Sequence, residues 1–503
     1  MQRNSQDTSR GTVSRHLAVW ISGLALVAAA GCMVGPDYHP PQTTLPAGWV
    51  GPTNQMTLAP DQQAELVHWW TTFRDPVLTS LVERAVTSNL TLKEAEARIR
   101  QARAARGFVA ADLWPQISAN GSFARSRAGG PVTGKTAPTA HSFFQAGLDA
   151  SWEMDIFGGV RRNIEAADAD VEASIEDSRD VLVTLAAEVG LDYVNLRGFQ
   201  QRIAIAQSNL TAQKHSAEIT QQRFKGGFVS ALDVANANAQ VATTSASIPL
   251  FESSARQIIY ALSVLLGRDP AALLQELEPT AAIPAEPPQV PITPPSELIR
   301  RRPDIRRSEA QIHAATARIG VATADLYPKF NFAVSLGSST NNLMTLLDWA
   351  NRAWSFGPSG SWALFDGGRI TSNIQVQGAI EEQSLLLFQQ TVLVALQDVE
   401  NALISYAKEQ ETRKALVDAV TANRKAVELS TKLYAEGQTD FLSVLIAQGS
   451  LFASEDALVV SNQNVSTSLV ALYKALGGGW DEPKPPEPAK APSAAKEPAA
   501  AKK

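Results

Sequence analysis

Reactive side chains are in short supply here: one cysteine, six histidines and five methionines in 503 residues. A single cysteine excludes a disulfide framework and any zinc site built on two or more thiolates. No two histidines stand at a metal-ligand spacing, so no metal site is expected. A nucleophile beside a base is missing, as is a phosphate-cradling loop. The sequence therefore predicts no enzyme, no catalytic residue and no cofactor. Positive charge is not in excess either, with 44 Lys+Arg against 50 Asp+Glu and a net charge of −6, which argues against a protein that wraps nucleic acid. Disorder throughout is excluded by 45% hydrophobic residues.

What is present begins with an address. Arg3, Arg10 and Arg15 precede an apolar run over 17–30, followed by Gly31 and Cys32. A basic start, a short apolar core and small residues make a secretory signal over 1–31, too short to span a bilayer. Ala29-Ala30-Gly31-Cys32 resembles a bacterial lipobox. That resemblance implies a lipoprotein whose Cys32 carries diacylglycerol and palmitate. Met33 after it implies sorting to the outer membrane.

The body is duplicated. Ala111-Asp112-Leu113-Trp114-Pro115 returns 213 residues later as Ala324-Asp325-Leu326-Tyr327-Pro328, and Ser151-Trp152 returns 210 later as Ser361-Trp362. Phe224-x-x-Gly227-x-x-x-x-Leu232-x-Val234 returns as Tyr434-x-x-Gly437-x-x-x-x-Leu442-x-Val444, again 210 later. Landmarks in one order at nearly one offset mark a tandem repeat. We expect an N-terminal extension over 32–75, a first repeat over 76–275, a proline-rich linker over 276–297, a second repeat over 298–480 and a disordered tail over 481–503.

Each repeat mixes two kinds of segment. Proline-free stretches rich in Ala, Gln, Leu, Glu and Val predict long helices over 158–225 and 367–436, roughly 100 Å each at 1.5 Å per residue. Breaks at Gly226-Gly227 and Gly437 start returning helices over 229–266 and 439–476, the first with a kink at Pro249. Asp75-Pro76 and Pro303-Asp304 open shorter helices. The remaining segments alternate with period two, predicting strands over about 115–127, 142–155, 328–338 and 353–366. Ile117, Ala119, Gly121 and Phe123 share one parity; so do Phe144, Leu148 and Trp152, then Phe330, Phe332, Val334 and Leu336, then Trp354, Phe356, Trp362 and Leu364. Alternation alone suits a soluble sandwich. Tryptophans at strand ends, the outer-membrane address and the lack of further strands turn the reading to a membrane barrel. Four strands cannot close one, and open edges cannot face lipid, so several copies must pool strands: eight in a dimer, twelve in a trimer.

With these features in place, the chain resembles the outer membrane factors of tripartite efflux and secretion systems, the TolC/OprM/NodT-like channels. The resemblance rests on Cys32-Met33-Val34-Gly35-Pro36-Asp37-Tyr38, Trp70…Phe73-x-Asp75-Pro76, Arg302-Pro303-Asp304-Ile305 and Leu364-Phe365-Asp366-Gly367-Gly368-Arg369. It implies a mixed α and β membrane protein: a homotrimer with a shared 12-stranded outer-membrane β-barrel continued by a long α-helical periplasmic barrel. Its implied partners are a periplasmic adaptor (membrane fusion) protein, an inner-membrane RND-type pump and outer-membrane lipid. The implied function is a passive exit duct for drugs or other small molecules, gated at its periplasmic tip. Rival readings are a duct for type I protein secretion and a coiled-coil brace that conducts nothing. The resemblance also implies adaptor-docking tips at Lys225, Gly226, Gly227, Phe228, Val229 and Ser230, and at Glu436, Gly437, Gln438, Thr439 and Asp440. Pore-gate candidates are Asp233, Ser443 and Ile446. Asp233 either faces the pore in an acidic ring or merely stabilises its helix start.

The other candidates have plain readings. The arginines at 300, 301, 302, 306 and 307 predict a solvated helix start. Trp69-Trp70 anchors the N-terminal segment onto the helices. His215 and His313 stand alone.

Overall fold

A computed structural model describes residues 33–51, 56–57, 66–127, 140–287, 290–292 and 294–481. The signal sequence, Cys32, linker residues 288, 289 and 293, and the expected tail from 482 onward lie outside the described residues. Helices α1 (Pro76–Ser88) and α2 (Leu90–Ala110) lead into strands β1 (Gln116–Ser126) and β2 (His141–Met154), then into helices α3 (Gly159–Lys225) and α4 (Ala231–Leu265). The second repeat has α5 (Pro303–Ala324), β3 (Lys329–Thr340), β4 (Arg352–Ser361), α6 (Arg369–Ala435) and α7 (Phe441–Ala475). The long helices α3 and α6 have 67 residues each, and α4 and α7 have 35 each, so the duplication read from sequence is a duplication of elements.

Local signals set the boundaries. The Asp75 carboxylate accepts hydrogen bonds from the Val77 and Leu78 amides at 2.8 and 3.1 Å, and Pro76 fills the first helical position, so α1 starts there. Helix α4 runs uninterrupted through Pro249, the expected kink site, although that proline has no N–H to give the Ser245 carbonyl.

The contacts gather into two compact units, each drawing on both repeats. The first takes 91–180 and 302–396 with the described residues before 47; the second takes 47–90, 181–301 and 397–481. In the first, the sheet is a four-stranded antiparallel array in the order β1-β2-β3-β4. Strand β4 ends at Ser361 rather than near residue 366, because β3 begins at Lys329 opposite Ser361 and offers nothing beyond.

The arginine cluster is a correction. Instead of a solvated helix start, α5 lays its arginines on an acidic stretch of α3. Glu176, 2% exposed at its side chain, meets Arg179 at 2.5 Å and Arg306 at 3.1 Å, while Arg307 reaches Asp177 at 2.6 Å and Asp180 at 3.2 Å. Burial pushes the Glu176 and Asp180 carboxyls up despite these arginines. The partners stand about 130 residues away in sequence, beyond any local pattern.

In the second unit, Trp69 is fully buried and stacks on Tyr473 with ring centroids 5.5 Å apart. Leu78, Leu81 and Val82 of α1, Val194 and Leu196 of α3, and Leu469 and Leu472 of α7 are also fully buried. The Trp69-Trp70 pair is thus an anchor built into the core.

Candidate functional site

The sheet sorts its residues by face. Register places Ile117, Ala150, Val334 and Phe356 in one cross-strand row, and Ala119, Leu148, Leu336 and Trp354 in another. On the opposite face the rows read Ser118, Asp149, Ser335, Ser355 and Glu153, Asn331, Ser359. Asn120 donates from its side-chain amide to Asp149 on that polar face. The apolar face stays open: Ile117, Phe123, Leu336, Trp354 and Phe356 are all more than half exposed. The sheet thus has one apolar and one polar face, and among the described residues no further strand pairs with the outer edges of β1 and β4.

One junction motif recurs where strands meet helices. The Trp152 indole donates to the Leu113 carbonyl at 2.9 Å, and the Trp362 indole donates to the Leu326 carbonyl at 2.9 Å. These are the paired landmarks of the repeat, and the structure gives their reason: each tryptophan ties the end of a hairpin to the chain entering it. An indole with an apolar body and a satisfied polar tip suits a membrane–water boundary.

Residues 33–38 form a strap over the first unit. Val34 donates its amide to the Phe157 carbonyl at 3.1 Å. Gly35, at φ +90°, lies so close to Gly320 that a side chain would collide with that backbone. The Arg162 guanidinium, 3% exposed, donates to the Val34 carbonyl at 3.1 Å, to Asp37 at 2.6 Å and to Glu165 at 2.8 Å. This holds the Asp37 carboxyl below the usual carboxylate range. Tyr38 stacks on His313 with centroids 4.3 Å apart and donates to Glu309 at 3.2 Å. His313, expected to stand alone, also lies 3.2 Å from Glu165. Met33 packs beside Gly158, four residues past the end of β2.

At the far ends of α3 and α6 the chain turns back twice in the same way. Gly227 at φ +75° and Gly437 at φ +77° take the left-handed conformation that ends a helix, and Phe228 and Gln438 return their amides to the Arg223 and Leu433 carbonyls at 2.9 and 2.8 Å. Lys225 closes α3; Gly226 and Glu436 still donate four residues back, to Gln222 and Lys432 at 3.1 Å. Capping then differs between copies. Ser230 caps α4 and accepts from the Asp233 amide, while Asp233 accepts from the Ser230 amide at 3.0 Å, a reciprocal box. In the second copy the residues trade places: Asp440 is the cap and accepts from the Ser443 amide at 3.0 Å and hydroxyl at 2.7 Å, lowering its pKa. Thr439 bonds the same Ser443 hydroxyl at 3.2 Å. Phe228 and Ile446 are 75% and 60% exposed, whereas Val229 packs on the buried cluster of Ala237, Tyr434, Phe441 and Val444.

Sequence reasoning missed what holds the two turns together. The Arg223 guanidinium donates to the Tyr434 carbonyl and lies 4.7 Å over its ring, and the Tyr434 hydroxyl donates to Thr220 at 3.2 Å. Tyr434 takes the place of Phe224 in the repeat, and that gain of a hydroxyl was the available signal.

The family model for "Outer membrane efflux protein" matches twice, over residues 81–268 and 295–478. The chain belongs to the outer membrane efflux protein family. It is 31% identical to nodulation protein T of Rhizobium leguminosarum bv. trifolii over 90% of this chain and 95% of that protein. To outer membrane protein OprJ of Pseudomonas aeruginosa it is likewise 31% identical, over 93% and 97%. Among solved structures, the outer-membrane channel OprN superposes with a TM-score of 0.81 at 37% identity, covering 89% of this chain and all of that one. An outer membrane efflux protein transports and does not catalyse. The two matches fall one on each repeat, so the duplication belongs to the family fold. Among the described residues no cluster of His, Cys, Asp or Glu is arranged to hold a metal.

Proposed function

We propose that this protein is the passive exit duct of a tripartite efflux pump, carrying drugs or other small molecules across periplasm and outer membrane. The observation that carries this reading is the four-stranded sheet with one apolar face, one polar face and, among the described residues, two edges that no strand pairs. Each unpaired backbone group facing lipid costs several kcal/mol, so the edges must be paired by further copies. Three copies give a homotrimer with a 12-stranded barrel, its apolar faces on lipid and its polar faces on water. The helices α3, α4, α6 and α7 of three copies then wall the periplasmic tunnel. A strap that holds Met33 beside the end of β2 supports lipidation of Cys32 at the membrane surface. The turns at Lys225–Ser230 and 436–440 are the sites where a periplasmic adaptor docks, and an RND-type inner-membrane pump supplies the energy and selects the cargo.

Gating belongs to the same turns, with Asp233, Ser443 and Ile446 as the pore-lining candidates. Asp233 sits in the capping box of α4, and three copies about an axis would make a cation-attracting ring. Purified protein in planar bilayers should give conductance steps, and Asp233→Asn should weaken block by divalent cations. Absence of any steps identifies a brace rather than a duct. Steps with unchanged block at every salt concentration take Asp233 out of the pore.

A further inference from the structure

The chain between β3 and β4 is a loop turned inside out. Over 341–351 the polar side chains face inward. Asn342 accepts from the Met344 amide at 3.1 Å, Thr345 donates its hydroxyl to the Asn342 carbonyl at 2.9 Å, and Asn351 donates its side-chain amide to the Thr345 carbonyl at 2.7 Å. The backbone closes on itself in two short turns: the Thr345, Leu346, Asp348 and Asn351 amides each return to a carbonyl three residues back. Leu343, Met344, Leu347 and Trp349 are left on the outside, each more than half exposed. A loop made for water has the opposite arrangement.

Two contacts decide toward which face of the sheet this loop folds. Thr340 stands in one cross-strand row with Phe123 and Phe144, on the apolar face, and its hydroxyl bonds that of Thr345 at 2.8 Å. Arg352 stands in the row of Gly121, Ala146 and Ser338, two residues from Trp354 on that same face. Its guanidinium lies 4.2 Å from the centre of the Trp349 ring and enters no ion pair among the described residues. Both ends of the loop are therefore tied to the apolar side, continuous with Trp354 and Phe356, whose rings stack 5.7 Å apart. Arg125, of odd parity on β1 and opposite Ser142, adds a second exposed cation at this end of the face. Against these cations the loop sets one carboxylate, Asp348.

We propose that the loop over 341–351 dips into the outer leaflet of the outer membrane, and that Arg352, backed by Trp349, binds a phosphate of the phosphorylated glycolipid there. This rests on the shared-barrel reading, which puts the apolar face on lipid. The helices join the sheet at the Trp152 and Trp362 end, so the loop lies at the end away from the periplasm. A backbone that satisfies its own amides can enter a water-poor layer, and outward leucine, methionine and tryptophan side chains gain by doing so. Tryptophan suits the boundary between acyl chains and headgroups. The guanidinium offers planar donors that match phosphate oxygens, and stacking on the indole holds its plane while leaving the N–H groups free.

Quenching and lipid titration in the full-length protein test the two halves. Met344→Cys, labelled with an environment-sensitive dye in nanodiscs of phosphatidylcholine and lipid A, should be quenched by nitroxides on the acyl chains and spared by aqueous iodide. The parent, with Cys32, is the labelling blank. The apparent affinity for lipid A, titrated into detergent-solubilised protein and read by native mass spectrometry, should fall about tenfold in Arg352→Gln and recover in part in Arg352→Lys. Dephosphorylated lipid A should bind the parent and Arg352→Gln alike. Quenching by iodide and not by nitroxide overturns the placement of the loop. Shielding from both quenchers overturns it too, and assigns the loop to a neighbouring copy. Undiminished lipid A affinity in Arg352→Gln overturns the phosphate contact. Any of these results in particles that conduct leaves the duct reading standing, whereas particles that never conduct bring down both.

Discussion

Replacing Arg162 by Met should loosen the N-terminal strap far more than removing its most conspicuous partner. Four acceptors surround the guanidinium: Val34 carbonyl at 3.1 Å, Gly35 carbonyl at 3.5 Å, Asp37 at 2.6 Å and Glu165 at 2.8 Å. The shortest contact is not the strongest. Asp37 is 79% exposed, so water takes over from the arginine when that pair breaks. Glu165 is 24% exposed and would keep only His313, 3.2 Å away, while the Val34 carbonyl is half-buried; weakening or losing the partner of such an acceptor costs about 1–3 kcal/mol. Together they amount to about 3 kcal/mol, roughly a hundredfold in the equilibrium between docked and released strap. Hydrogen exchange at the Val34 amide, which donates to Phe157, reports that equilibrium directly. In Arg162→Met it should accelerate by about two decades, and in Asp37→Ala it should stay close to the parent rate. Equal acceleration in both variants would falsify the reasoning, because the exposed pair would then be carrying the strap.

Burial, with Glu188 one turn away adding repulsion, pushes Asp192 up to about 6. A carboxyl with a higher pKa folded than unfolded stabilises the fold most below about pH 4 and loses that contribution as pH rises through 6. The melting temperature should therefore drop across that window, and Asp192→Asn should flatten the drop; a parallel slope in the variant assigns the effect elsewhere. Trp69→Ala should cost about 3–5 kcal/mol, read from thermal melts, since the indole is fully buried against Tyr473. Ser230→Ala should cost about 1 kcal/mol at the start of α4, seen as faster amide exchange confined to that turn.

Legibility followed the range of the interaction. The four strands were readable because alternation is a neighbour-to-neighbour property, and register then put all four apolar parities on one face. Asp75-Pro76 was readable for the same reason, its cap lying within three residues. The arginines of α5 were not, because the carboxylates they pair with belong to α3. Likewise no local pattern ties Tyr38 to His313 or Arg223 to Tyr434. The end of β4 was overestimated because composition continues where the partner strand stops. At the turns, sequence left Asp233 between two roles; the capping box fills one of them without addressing what the outer side of the carboxylate meets.

Because both compact units borrow segments from the two repeats, neither repeat is a stand-alone folding cassette. Severing the polypeptide at the proline-rich linker would yield two fragments that each hold half of both cores. During synthesis, the first unit lacks its final segment until residue 396 has been made, and the second needs the last helix. A newly made chain must therefore be escorted through export until residue 396 has been made before its first core is complete, and to its last helix before the second is. That is a long interval of vulnerability, in which envelope chaperones and proteases compete for it.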